Sequence, residues 1–184
     1  IKRCDENTTV WVSDPTWANH IPLIGNAGLN IQTYPYFDKA SANINFDAMA
    51  ECLGQVKEGD VVLLHGCCHN PTGADLSKEQ WQVVLELAQK TGFIPFVDTA
   101  YQGFGDGLEE DAYGMRLLVN NLPEVIIAAS CSKNFGLYRE RIGIAVMVTE
   151  NSAHRQAIQS QIQFIARGIY SMPPSYGGAL VDII

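Results

Sequence analysis

No apolar run in the chain approaches the roughly 20 residues that a helix needs to cross a bilayer, and no charged-then-apolar leader opens it. The expectation is a soluble, cytoplasmic protein with no membrane partner. Positive charge is also scarce: 12 Lys and Arg stand against 20 Asp and Glu, a formal charge of −8, which repels nucleic-acid phosphates. No DNA or RNA partner is expected. The five cysteines, at 4, 52, 67, 68 and 131, are odd in number and have no paired spacing, so reduced thiols are the simpler reading. Cys67-Cys68-His69, with His65 nearby, lacks the two-residue chelate spacing of a zinc site and no second ligand pair follows. No metal is expected. A cysteine-histidine hydrolase is weaker still, since nothing orients such a pair or supplies an oxyanion site. Low-complexity tracts, internal repeats and Gly/Ser linkers are missing too, so 184 residues read as one domain with one sizeable core. The chain opens on Ile1 and closes on the largely apolar run Ala179 to Ile184, which needs partners to cover it; the expectation is a fragment of a longer protein.

What is present is a regular order of apolar strands and amphipathic helices. Val10-Trp11-Val12, Val61 to Leu64, Phe93 to Val97 and Val125 to Ala129 read as short strands. Between them, Ser77 is an N-cap with Glu79 and Gln80 behind it, and Trp81, Val84, Leu85 and Ala88 recur on one face until Gly92 stops the helix. Glu109 to Asn121 reads as a second helix, and Ser152 caps a third running to Arg167. Repeated strand-then-helix order predicts an α/β fold, a mostly parallel sheet with helices on both faces.

The chemistry gathers after the strands. Ser130-Cys131-Ser132-Lys133 places one lysine among hydroxyl residues just past a strand, where ligands collect in open α/β sheets. By itself Lys133 is an ordinary loop lysine. Arg141, eight residues on, and the hydroxyls of Ser130 and Ser132 add a phosphate clamp. An amine beside a phosphate clamp suggests pyridoxal phosphate, whose aldehyde condenses with a lysine. The other strands end in polar stretches as well: Asp14 to His20, His65 to Gly73, and Asp98 to Phe104. Each has a bland reading, since Asp14-Pro15 and Asn70-Pro71 are common turn pairs and Trp17 or Tyr101 can be core aromatics. One shared pocket explains all four together.

These segments closely resemble those of the class I aminotransferases, in the aspartate and aromatic amino acid group, with His65 to Gly73, Asp98 to Phe104 and Ser130 to Gly143 as the specific stretches. The resemblance runs from about Thr9 to Ile184. It implies the central part of the cofactor-binding large domain of a fold type I pyridoxal phosphate enzyme, with parts at both ends of the parent absent: the glycine-rich phosphate segment, a tyrosine from a second subunit and the arginine for the substrate α-carboxylate. It implies that Lys133 attaches the cofactor and then shuttles a proton, and that Asp98 pairs with the pyridine nitrogen. Asn70 and Tyr101 bond the phenolic oxygen, Ser130, Ser132 and Arg141 hold the phosphate, and Trp17 stacks over the ring. Substrate contacts fall to Trp17, Asn70 and Arg167, the last reaching a neighbouring subunit in a homodimer to bind a side-chain carboxylate. His20 and His65 either support Asp98 from behind or are simply satisfied buried imidazoles. The resemblance further implies cis bonds before Pro15 and Pro71, and Gly136 and Gly143 are expected to let the chain approach the cofactor. The implied reaction is amino transfer from an L-amino acid, aromatic or aspartate, to 2-oxoglutarate. Gly73 to Leu76 and Glu109 to Tyr113 lean toward the aromatic group. A pyridoxal phosphate lyase, a non-catalytic binding module and an inactive fragment are the alternatives.

Overall fold

The structure is a computed structural model and describes residues 7–183. Six strands form one sheet: β1 (Thr9–Asp14), β2 (Asn30–Pro35), β5 (Val61–His65), β6 (Ile94–Thr99), β7 (Val125–Ser130) and β8 (Gly143–Val148), in the order β2-β1-β5-β6-β7-β8. All neighbours are parallel except β8, which runs antiparallel to β7 at one edge. Short strands β3 (Phe37–Asp38) and β4 (Asn43–Ile44) make a separate hairpin. The mostly parallel sheet agrees with the strand-helix order of the sequence.

Helices α2 (Phe46–Leu53), α3 (Lys78–Thr91) and α4 (Tyr113–Asn121) cover one face. Their apolar stripes close over Val62, Leu64, Val97, Val125 and Ile127, with Trp81, Val84, Leu85, Met49 and Leu118 buried against them. On the other face α1 (His20–Asn26) contributes Ile24 to a smaller cluster with Val10, Val12, Val61 and Leu63. Strand β5, buried on both faces, reads as a continuous apolar run, which is why it stood out in the sequence. The long helix α5 (Ser152–Tyr170) buries none of its residues, and α6 (Tyr176–Ile183) follows it.

Local signals explain most boundaries. Ser77 accepts from Gln80 N and Gln80 reaches back to the Ser77 backbone, a capping box that starts α3; Gly92, at φ 78°, ends it. Two predicted helix starts move. Helix α4 begins at Tyr113 rather than Glu109, because Asp111 is engaged as an acceptor for the backbone N–H groups of Gly103, Gly105 and Asp106, and Glu109 pairs with Arg116. Helix α5 is capped by Asn151, whose side chain accepts from His154 N at 3.0 Å, and it continues past Arg167 to Tyr170.

Helices α3 and α4 meet where Gly114 lies under the Trp81 indole. A Cβ at Gly114 would stand 2.2 Å from the nearest Trp81 ring atom. Neither helix can yield without opening the core, so Gly114→Ala should destabilise the protein by about 1–3 kcal/mol. Urea unfolding checks this; an unchanged midpoint would mean that the two helices slide apart at no cost.

Candidate active site

Strand order reverses beside β1: the chain leaves β1 for β2 on one side and returns to β5 on the other. A crevice forms outside the carboxyl ends at such a reversal. Here a cavity of about 350 Å³ opens among the segments that leave β1, β5, β6 and β7. Trp17 comes from the first, and His65, Cys67 and Asn70 from the second. Asp98, Ala100 and Tyr101 come from the third, and Ser130, Ser132, Lys133, Tyr138 and Arg141 from the fourth. Every residue expected to touch the cofactor lines this one cavity. Register contributes, since His65 and Asp98 are paired across β5 and β6 and Asp98 faces Ala128 on β7.

Behind Asp98 runs a chain of imidazoles. His20 Nε2 lies 2.9 Å from Asp98 Oδ2, and Thr16 Oγ1 sits 2.8 Å from His20 Nδ1 and 3.3 Å from His65 Nε2. The ring of His65 is 4.1 Å from that of His69, which stacks on Tyr36 and touches Ser13 Oγ and Thr72 Oγ1. His20 therefore contacts Asp98 directly, while His65 reaches that pair through Thr16. Nothing in the residue types singled out Thr16, Cys67, His69 or Tyr138 as parts of this site; position within the same four stretches was the only signal.

Burial, then repulsion from His69 and His20, holds His65 down to about 3, and burial holds His69 to about 4. Unfolded, both take up protons near pH 6.5. As pH falls from about 6.5 toward 4 the unfolded state binds more protons than the native one, so stability drops with acid and is flat above that window. The urea midpoint should fall between pH 6.5 and 5, and His69→Gln should flatten the fall. A midpoint independent of pH there would contradict neutral buried rings.

Two cations face the cavity without an acid partner among the described residues. Arg141 donates from Nη1 to Tyr138 O at 2.9 Å, at a left-handed φ of 53°, and Lys133 Nζ lies 4.9 Å above the Tyr101 ring. Ser130 Oγ donates to Ser132 Oγ at 3.0 Å and accepts from Ser132 N at 3.1 Å. Asn134 ties this segment to the β6 exit by donating to Gln102 O at 3.3 Å. Arg167 lies elsewhere, exposed near the end of α5 and outside the cavity lining. The bonds before Pro15 and Pro71 are cis, as expected. Gly136 has φ 66°, but Gly143 corrects its expected role: a Cβ there would meet Ala129 O at 2.5 Å, so the residue serves the pairing of β8 with β7.

A parallel sheet whose strand ends converge on a lysine, an acid and an unpaired guanidinium is the arrangement of the aminotransferase fold. The chain belongs to the family of class I and II aminotransferases, whose family model matches residues 1–182. It is 51% identical over 175 residues to an aromatic-amino-acid aminotransferase of Paracoccus denitrificans, covering 95% of this chain and 44% of that protein. It is 47% identical over 184 residues to an aspartate aminotransferase of Haemophilus influenzae, covering all of this chain and 46% of the other. The chain thus spans about half the length of the curated relatives it matches. Among solved structures, an aromatic amino acid aminotransferase with 3-indolepropionic acid superposes at a TM-score of 0.97 with 49% identity, over 100% of this chain and 47% of that one. Another, from Burkholderia pseudomallei and covalently bound to pyridoxal phosphate, superposes at 0.95 with 40% identity, over 98% and 45%.

Proposed function

We propose that the intact protein is a pyridoxal phosphate-dependent aminotransferase that passes the amino group of an aromatic amino acid or aspartate to 2-oxoglutarate. The observation that carries this is the donor set of the cavity. An unpaired guanidinium with two serine hydroxyls suits a phosphate, a carboxylate suits a protonated ring nitrogen, and a phenol with an amide suits a phenolate. Each of these groups thus has a counterpart on the cofactor.

When bound, pyridoxal phosphate supplies an aldehyde for the substrate amine and a ring that takes up electron density released at the α-carbon. The chain's own residues do the rest. Asp98, held by His20, would face the ring nitrogen and favour its protonated form. Tyr101 and Asn70 would donate hydrogen bonds to the phenolic oxygen and stabilise its deprotonated form. Arg141, Ser130 and Ser132 would hold the phosphate, and Trp17 would pack against the ring. Lys133 would be the point of covalent attachment, and its free Nζ would take and return the substrate α-proton.

Arg167, outside this cavity, is suited to bind a substrate carboxylate in the active site of a second subunit, so the working form is a homodimer. The place of work is the cytoplasm. A panel of amino donors supplied to the intact protein with 2-oxoglutarate tests the reaction: glutamate should appear in step with a 2-oxo acid. Ammonia released without glutamate would instead mark a lyase, and the absence of both glutamate and ammonia with every donor would sink both readings.

A further inference from the structure

Cys67 and Cys68 have no part in this chemistry beyond the place of Cys67 in the cavity wall. Successive side chains on extended backbone point to opposite sides, so adjacent cysteines ordinarily keep their sulfurs apart. Here the chain turns. Cys68 has φ 49°, a left-handed conformation that non-glycine residues seldom adopt. The turn is held by Asp75, whose carboxylate accepts from Cys68 N at 2.6 Å and from His69 N at 2.8 Å. Both sulfurs and the Asp111 carboxylate consequently lie within 4.8 Å of one another. Cys67 Sγ is 4.0 Å from Thr99 Oγ1, and the Cys68 thiol points at Tyr101 O, also at 4.0 Å. Ligand spacing along the sequence misses this pair because a strained turn, not a helix or a knuckle, brings the sulfurs together.

The donor set selects among ligands. Zinc prefers four ligands and deprotonated thiols. Asp111 already accepts three backbone N–H groups, and burial raises both thiols, Cys67 to about 12. A metal ion that requires thiolates is therefore poorly served. A neutral thiophile escapes both objections. An organic arsenic(III) oxide condenses with two neutral thiols: two As–S bonds form, the As–O bond is lost, and both thiol protons leave with the oxygen as water. Arsenic stays trivalent, and soft sulfur suits it.

We propose that Cys67 and Cys68 form a dithiol site for trivalent organoarsenicals in the wall of the cavity, and that its occupation and cofactor uptake oppose each other. Cys67 lines the cavity, which gives the entry path, and an aryl group on the arsenic that bridges the two sulfurs would compete for its volume. The opposition rests on the cofactor reading above; the dithiol site does not.

The test uses the intact protein, stripped of cofactor and treated with phenylarsine oxide, followed by intact mass and peptide mapping. One phenylarsenic group per chain should appear on the peptide holding Cys67 and Cys68, survive excess 2-mercaptoethanol and be released by 2,3-dimercaptopropanol. Cys67→Ser and Cys68→Ser should each lose it; if buried Cys67→Ser fails to fold, the less buried Cys68→Ser decides. An adduct that persists in either variant, or that the monothiol strips from the unaltered protein, overturns the site. Preloading with pyridoxal phosphate at ten times its dissociation constant should slow adduct formation about tenfold, since only the free fraction reacts. Equal rates with the cofactor's absorbance present overturn the opposition. If that absorbance never appears in untreated protein, the cofactor reading fails while the mass result still judges the dithiol.

Discussion

Lys133→Ala in the intact protein should lower amino transfer by about 10⁴-fold or more, because in the proposed function one side chain carries both the covalent and the proton-transfer work. Among the residues lining the cavity it has the one primary amine, and its neighbours Ser132, Tyr138 and Tyr101 offer only hydroxyls. Cofactor binding should survive, since Arg141, Ser130, Ser132 and Asp98 remain in place. Borohydride reduction separates the two effects: the unaltered protein should give a covalent product at Lys133, and the variant none. A reduction product on any other lysine would remove Lys133 from the role, however inactive the variant proved.

Asp98→Asn is the second large effect. The substitution leaves an oxygen to accept from His20 Nε2, now 2.9 Å from Asp98 Oδ2, so it removes charge while sparing the hydrogen bond. The ring nitrogen then loses the ion that favours its protonated form, and turnover should fall roughly 10²–10³-fold. Cofactor affinity should change less than about tenfold, or about 1.4 kcal/mol, because the phosphate clamp is untouched. Turnover close to normal would place the electron-accepting role elsewhere.

Both predictions concern residues that the sequence made visible, and the reason is local. Each predicted site residue of the cavity lies at the carboxyl end of a sheet strand or in the segment just beyond it, and strands such as β5 and β7 announce themselves as apolar runs. The less visible elements lack that signature. Strand β2 is a half-exposed edge reading Asn-Ile-Gln-Thr-Tyr-Pro, and α1 carries Pro22 and Gly25 inside it. Strand β8 is apolar enough, but nothing in Gly143 to Val148 says that it runs antiparallel to its neighbour. The imidazole row was only partly legible, since two of its contacts, His65 with Thr16 at 3.3 Å and His20 with Asp98 at 2.9 Å, join segments far apart in the chain. Chemistry-bearing residues could be read because they sit at strand ends; the groups that orient them depend on register.

Strand β8 carries a further consequence. Six residues without a charge or a proline form one margin of the sheet, and among the described residues no strand pairs with its outer side. Natural margins are blunted by lysine, proline or a bulge, and this one has none of those guards. Whatever lies against it in the intact protein thus acts as a solubility device, keeping an adhesive ribbon from recruiting a second copy of itself.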